Sequence, residues 1–114
     1  MKFIIPVKVI SEANQREHPM ARHRRKRKQQ DAAALVCRQH DIIEHYQRDM
    51  TVRLTRLVPK RYPRLMDSDN LAGSFKHVQD AIADEIRVND RDVKWEYAQR
   101  VGDDYGVEVE LIQA

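Results

Sequence analysis

The stretch Asn70-Leu-Ala-Gly-Ser-Phe-Lys-His-Val-Gln-Asp-Ala-Ile-Ala-Asp-Glu-Ile-Arg87 decides how the chain must fold. Leu71, Phe75, Val78, Ile82 and Ile86 recur at helical spacing and form one apolar stripe, which predicts a helix over 70–87. On a helical wheel Asp69, Lys76 and Asp80 fall within about 40° of one another, on the face opposite that stripe. One side of the helix therefore needs a sheet or a second helix to cover it, and the other is polar.

The segments on either side supply the cover. Upstream, Met50 to Val58 alternates, with Met50, Val52, Leu54 and Val58 on one side and Thr51, Arg53 and Thr55 on the other, as a strand does. The loop Pro59-Lys60-Arg61-Tyr62-Pro63-Arg64 leads from it toward Asp67. Downstream, Val93, Trp95 and Tyr97, then Val107, Val109 and Leu111, alternate with polar residues. Gly102-Asp-Asp-Tyr-Gly106 between them reads as the turn of a β-hairpin. Near the start, Phe3, Ile5, Val7 and Val9 share one face of a strand over residues 2–10, and Pro6 makes it an edge or bulged strand. Ser11 to His18 is polar loop, and Pro19 suits the first turn of a helix running to about Arg38. Asp41 to Asp49 is a connector anchored by Ile42, Ile43 and Tyr46. The order β-α-β-α-β-β predicts an α+β (mixed α/β) fold, a single domain over 1–114 with one four-stranded sheet and two main helices.

Composition narrows the class. With 41% hydrophobic and 34% charged residues the chain is globular with a heavily charged surface. No run approaches the ~20 apolar residues of a membrane span, and the first residues carry no stretch long enough for a signal peptide. The single cysteine, Cys37, allows no internal disulfide and reads as a space-filling residue on a helix face. A cytoplasmic protein without a membrane partner is expected. The net charge of +3 is uneven: residues 16–30 carry a balance of +6, and the rest of the chain −3. Arg22, Arg24, Arg25, Lys26, Arg27 and Lys28 lie in a helix whose first half has almost no apolar face. Such a helix repels itself unless a polyanion neutralises it, so nucleic acid is the expected partner. Aromatics for base stacking are absent there, which favours contacts to phosphate over base edges.

Several chemistries are excluded by pattern. Neither a G-x-G-x-x-G nor a P-loop occurs, which argues against an organic nucleotide cofactor. The five histidines never stand at the i, i+4 spacing of a helical zinc site, and Ser74 lacks a nucleophile-elbow context. Oxygen chemistry remains. Asp67 and Asp69 precede the 70–87 helix, and Asn89-Asp90-Arg91-Asp92 follows it. If the helix packs back on the sheet, Asp67, Asp69 and Asp90 converge, and three carboxylates suit a hard cation such as Mg²⁺ that keeps waters and accepts phosphate oxygens. Lys76 would then stabilise charge on the phosphate. The plainer alternative is equally physical. Ser, Asp and Asn are what a helix N-terminus selects, and Lys76 with Asp80 is an ordinary surface pair.

The combination Asp67-x-Asp69-Asn70, Phe75-Lys76, Asp80-Ala81-Ile82 and Val88-Asn89-Asp90-x-x-Val93 resembles the RusA family of Holliday junction resolvases, common in prophages. The resemblance covers residues 67–93; the segments before it match in order and character only. It implies a homodimeric, Mg²⁺-dependent endonuclease (Mn²⁺ being the alternative metal) that cuts four-way DNA junctions symmetrically in recombination and repair. By position, Asp67, Asp69 and Asp90 look like the metal-binding catalytic carboxylates and Lys76 like the catalytic lysine. Arg22, Arg24, Arg25, Lys26, Arg27 and Lys28, with Lys60, Arg61 and Arg64 of the loop, would contact DNA. Two positions depart from the family pattern. Asn70 to Asp80 is longer by about three residues, nearly one helical turn, and Asn89 replaces the first acid of the usual pair.

Two other readings follow from the residues alone. A non-catalytic basic nucleic-acid-binding protein would keep the cationic helix and use the acids as helix caps, binding with strong salt dependence. A structural protein whose basic helix meets an acidic partner would show no nucleic-acid affinity.

Overall fold

The computed structural model describes all residues 1–114. Its elements are β1 (Lys2–Ile5), α1 (Pro19–Gln39), α2 (Ile42–His45), β2 (Thr51–Pro59), α3 (Ser68–Ser74), α4 (Lys76–Ile86), β3 (Lys94–Gly102) and β4 (Gly106–Ile112), with single 3₁₀ turns at Glu12–Asn14 and Asp90–Asp92. The α+β class with one four-stranded sheet stands as expected, and no helix is long and apolar enough to cross a membrane.

The sheet order is β1-β4-β2-β3. β2 and β3 run parallel, with Thr51 opposite Lys94 and Val58 opposite Val101. β4 is antiparallel to β2 on one side and to β1 on the other. The expected terminal hairpin is therefore wrong. β3 and β4 are joined by a short turn but are not paired; the turn passes over the end of β2, where Lys60 N–H donates to the Gly102 carbonyl at 3.1 Å. Burial explains the choice. Gly106, Val107, Glu108 and Val109 are all buried, as befits a central strand, whereas Lys94, Glu96 and Arg100 of β3 are exposed, as befits an edge. β1 ends at Ile5 because Pro6 has no N–H to give. Val7 and Val9 beyond it stay buried in the core without being strand.

The expected single helix over 70–87 is also interrupted. α3 ends at Ser74 and α4 begins at Lys76, with Phe75 between them at φ −90° and ψ −1°. Gly73 is a weak helix former, and the Ser74 hydroxyl donates to the Leu71 carbonyl at 2.6 Å, competing with the helical ladder. Phe75 is fully buried and stacks on Tyr97 of β3, ring centroids 5.6 Å apart. Holding that ring in the core is what bends the chain, so the wheel drawn across Asp69 and Lys76 does not apply. α4 ends where Arg87, at φ 58°, takes the left-handed cap that glycine usually fills.

The helices cover one face of the sheet. Val52, Leu54, Val107 and Val109 meet Phe75, Val78 and Ile82 of α3–α4 and Ala33, Val36 and Cys37 of α1 in a single apolar cluster. The other face carries a ladder of opposite charges: Arg53 with Glu96 (3.1 Å) and Glu110 (3.3 Å), and Arg100 with Glu108 (2.7 Å).

Candidate functional site

α1 starts well despite its charge. Pro19 occupies the first turn, and the His18 ring nitrogen Nδ1 accepts from Met20 N–H at 3.1 Å. Its second half anchors it through Ala33, Val36 and Cys37, while the buried Gln29 donates from its amide to the Lys8 carbonyl at 3.2 Å. Burial pushes the Cys37 thiol up to about 12, so it is inert as a nucleophile. Arg22, Arg24, Lys26, Arg27 and Lys28 are exposed. Arg25 is different. It donates to Glu12 at 2.9 and 2.7 Å and to both oxygens of Glu17, and its side chain is only 16% exposed. These bonds hold Glu12 and Glu17 below the usual carboxylate range. The sequence grouped Arg25 with the DNA-contacting cations; the structure spends it on a clamp between α1 and the segment before it.

The loop cations lie at the other end of β2. Lys60 and Arg61 make exposed contacts to Asp103 (3.9 Å) and Asp104 (3.4 Å), weak enough in solvent to exchange for phosphate. Arg64 stands over the Tyr62 ring at 5.0 Å. This loop is pinned by two residues that sequence reasoning did not single out. Gln99 of β3 donates to the Met66 carbonyl at 2.6 Å and accepts from Met66 N–H at 2.9 Å. The buried Arg56 guanidinium donates to the carbonyls of Arg64 (3.0 Å) and Val9 (3.4 Å). Together they fix the backbone that delivers Asp67.

Asp67 occupies the N-cap position of α3. Its carbonyl accepts from Asn70 and Leu71 N–H, both at 3.0 Å, but its carboxylate makes no capping bond. Asp67, Ser68 and Asp69 are all exposed. The helix start thus does not account for the Asp67 side chain, although Asp69 in the first turn gains from the helix dipole.

The second acidic group is better assembled. Burial raises Asp80 above the usual aspartate range, the Asp90 charge adds to this, and Lys76 opposes it. Asp80, Asp84 and Asp90 line one pocket with Ala83, Val88 and Asn89. Asp90 is held by its backbone: its carbonyl accepts from the Trp95 indole N–H at 2.8 Å, and the 3₁₀ turn is capped by Asn89, whose Oδ1 accepts from Arg91 N–H at 3.1 Å. Asn89 therefore has a local structural task where the resemblance would place an acid. Tyr97, bonded to Gln79 at 2.6 Å, also lies within reach of the Asp90 charge.

Asp80 and Asp90 thus share one pocket, and the charge of Lys76 reaches Asp80. Asp67 and Asp69 do not join them as a cation cage, for no three His, Cys, Asp or Glu side chains form a group that could hold a metal ion. As the side chains stand, Asp67, Asp69 and Asp90 form no such group. The loop before Asp67 is tied to Gln99, and Asp90 is tied to Trp95, four residues back along β3.

One further grouping had no signal in the sequence beyond a lone histidine. His77, Glu12, Ala13, Arg22 and Lys76 line a pocket of about 390 Å³ between α1, α4 and the first 3₁₀ turn. It joins the cationic helix directly to Lys76. No family profile, no curated protein and no solved structure matches the chain.

Proposed function

We propose that this chain is a DNA endonuclease of RusA type, acting as a homodimer on four-way junctions. The observation that carries the proposal is the place of Lys76: it lines one pocket with Arg22 of the cationic helix, and its charge acts on Asp80, which shares a second pocket with Asp90. An enzyme that cuts a phosphodiester needs both parts, a surface that collects phosphate and polar groups where the bond breaks. Exposed Arg22, Arg24, Lys26, Arg27 and Lys28 would carry the duplex arms by their phosphates. Lys76, exposed at the first turn of α4, would oppose charge building on the scissile phosphate. Symmetric cleavage of a twofold junction calls for a twofold dimer with one site in each subunit.

A second reading, DNA binding without cleavage, is favoured by one observation: no three His, Cys, Asp or Glu side chains form a group that could hold a metal ion. Incubation with a synthetic four-way junction and a linear duplex, with Mg²⁺, Mn²⁺ or EDTA, separates the two. Paired nicks in the junction with either metal, lost in Asp69→Asn and Asp90→Asn, are expected. Salt-dependent binding with no cutting under any metal would retire the nuclease and leave the binding protein.

A further inference from the structure

His77 is the one buried polar side chain of this region that nothing in the protein satisfies. It is 8% exposed, and neither ring nitrogen has a hydrogen-bond partner. Its nearest carboxylate oxygen, Glu12 Oε1, is 3.7 Å from Nε2, too far for a hydrogen bond. A buried ring left in this state costs free energy unless a ligand completes it. The ring borders the pocket lined by Glu12, Ala13, Arg22 and Lys76.

The charges around the pocket favour an anion. Glu12, the one carboxylate in the lining, is already taken by the two-bond contact with Arg25. Arg22 touches Glu17 only at 3.8 Å with its side chain 55% exposed, and Lys76 is exposed and in no ion pair at 4 Å or less.

We infer that this pocket binds a phosphate group, with Arg22 and Lys76 neutralising it and the His77 ring, whose nitrogens are both covered in this structure, turning to donate a hydrogen bond to one of its oxygens. The inference rests on the nucleic-acid reading for its ligand and not on cleavage. The phosphate is either a diester within a strand or a terminal monoester; both present the same oxygens. Protonation of His77 adds a charge-assisted bond, so affinity rises as pH falls. The charges facing His77 are Glu12 from the 3₁₀ turn, Lys26 from α1, and Lys76 and Asp80 from α4; burial is the largest influence and keeps the ring neutral below its ordinary range, with Glu12 pulling the other way.

The test is nuclear magnetic resonance of the full chain in EDTA. The amides of Lys76 and His77 and the His77 ring are followed while oligothymidylate is added, in one arm with a 5′-phosphate and in the other without. Saturable shifts at these residues with both oligonucleotides assign a strand diester; shifts with the phosphorylated one alone assign a terminal phosphate; either result supports the pocket. Arg22→Gln and Lys76→Gln are each expected to weaken binding about tenfold, and Lys94→Gln, at the start of β3, to leave it unchanged. His77→Gln keeps a neutral donor, so binding persists but loses its pH dependence. No shift in either arm, or shifts undiminished in both Arg22→Gln and Lys76→Gln, overturns the inference. Because metal is absent, failure of the cleavage assay leaves this result standing, and failure here leaves cleavage standing.

Discussion

Around Arg25, two carboxylates close on one guanidinium from different parts of the chain, and every charge has a partner. Around Asp80, a half-buried carboxylate faces a second one, Asp90, with the exposed Lys76 as its main relief. The two regions are connected through His77, which feels both Glu12 and Asp80. In the first, opposite charges hold Glu12 and Glu17 ionised; in the second, burial and a like charge push Asp80 toward its neutral form. The same small domain thus matches its charges where α1 must be held and leaves them unmatched beside Lys76. Unmatched charge that costs stability is what a site for an outside partner looks like.

The sharpest way to break this contrast is Lys76→Met. Cleavage of the junction should fall about 10²–10³-fold while urea stability stays unchanged, because the side chain is exposed and supports no packing. A variant that loses stability instead would make Lys76 part of the scaffold. Arg25→Gln should do the opposite, lowering the urea midpoint by leaving Glu12 and Glu17 without the guanidinium they share. Equal urea midpoints for this variant and the parent would show that the clamp holds nothing.

Acid should separate the regions by sign. His77 is held neutral when folded, so below its ordinary value of 6.5 the unfolded chain takes up a proton that the folded one refuses, and stability falls. Glu12 and Glu17 stabilise fully above 4.5, and that contribution is lost as pH drops through their lowered folded values. Asp80, raised from 3.8, acts the other way: its penalty disappears on protonation. Urea unfolding from pH 7 to 5 should therefore show declining stability, with a flatter slope in His77→Gln; an identical slope in that variant would remove His77 as the cause. The smallest effect is expected for Asp80→Asn, a gain of about 0.5 kcal/mol once solvent screening is allowed for. A loss of stability there would mean that Asp80 is held by its lysine more than it is opposed by Asp90.

Much of the architecture could be read from alternation and helical spacing, since Phe3, Val52, Leu54, Val107 and Val109 all face the core as those periods require. Two things could not. The interruption at Phe75 is partly tertiary: the stripe of Leu71, Phe75 and Val78 fits an unbroken helix, and the stack on Tyr97 acts together with Gly73 and the Ser74 hydroxyl bond where it breaks. The pairing of β4 is non-local, and a short Gly-Asp-Asp-Tyr-Gly segment looks the same whether its strands pair or straddle a third. A clue was present in Lys94, Glu96 and Arg100, which load β3 with the charges of an edge strand. At the site, Lys76 and Asp80 were legible as helical neighbours. The course of the loop before Asp67 was not, because it depends on Gln99 and Arg56 gripping it. His77 and Glu12 could not be linked from sequence at all, being distant in the chain and joined only by the packing of α4 on α1.

The place of β4 between β1 and β2 also governs how the molecule is made. Lys2 pairs with Glu110, so the first strand to emerge during synthesis waits for the last before its ladder can form. The β2–β3 ladder with its crossover helices can form earlier, although one side of β2 still waits for β4. Until residues 106–112 arrive, Phe3 and Ile5 belong to a strand with no neighbour, and β2 presents an open edge. Contacts this far apart in sequence slow folding and lengthen the exposure of unpaired strands. A chain cut before Gly106 would thus lose the middle of its sheet, leaving β1 nothing to join.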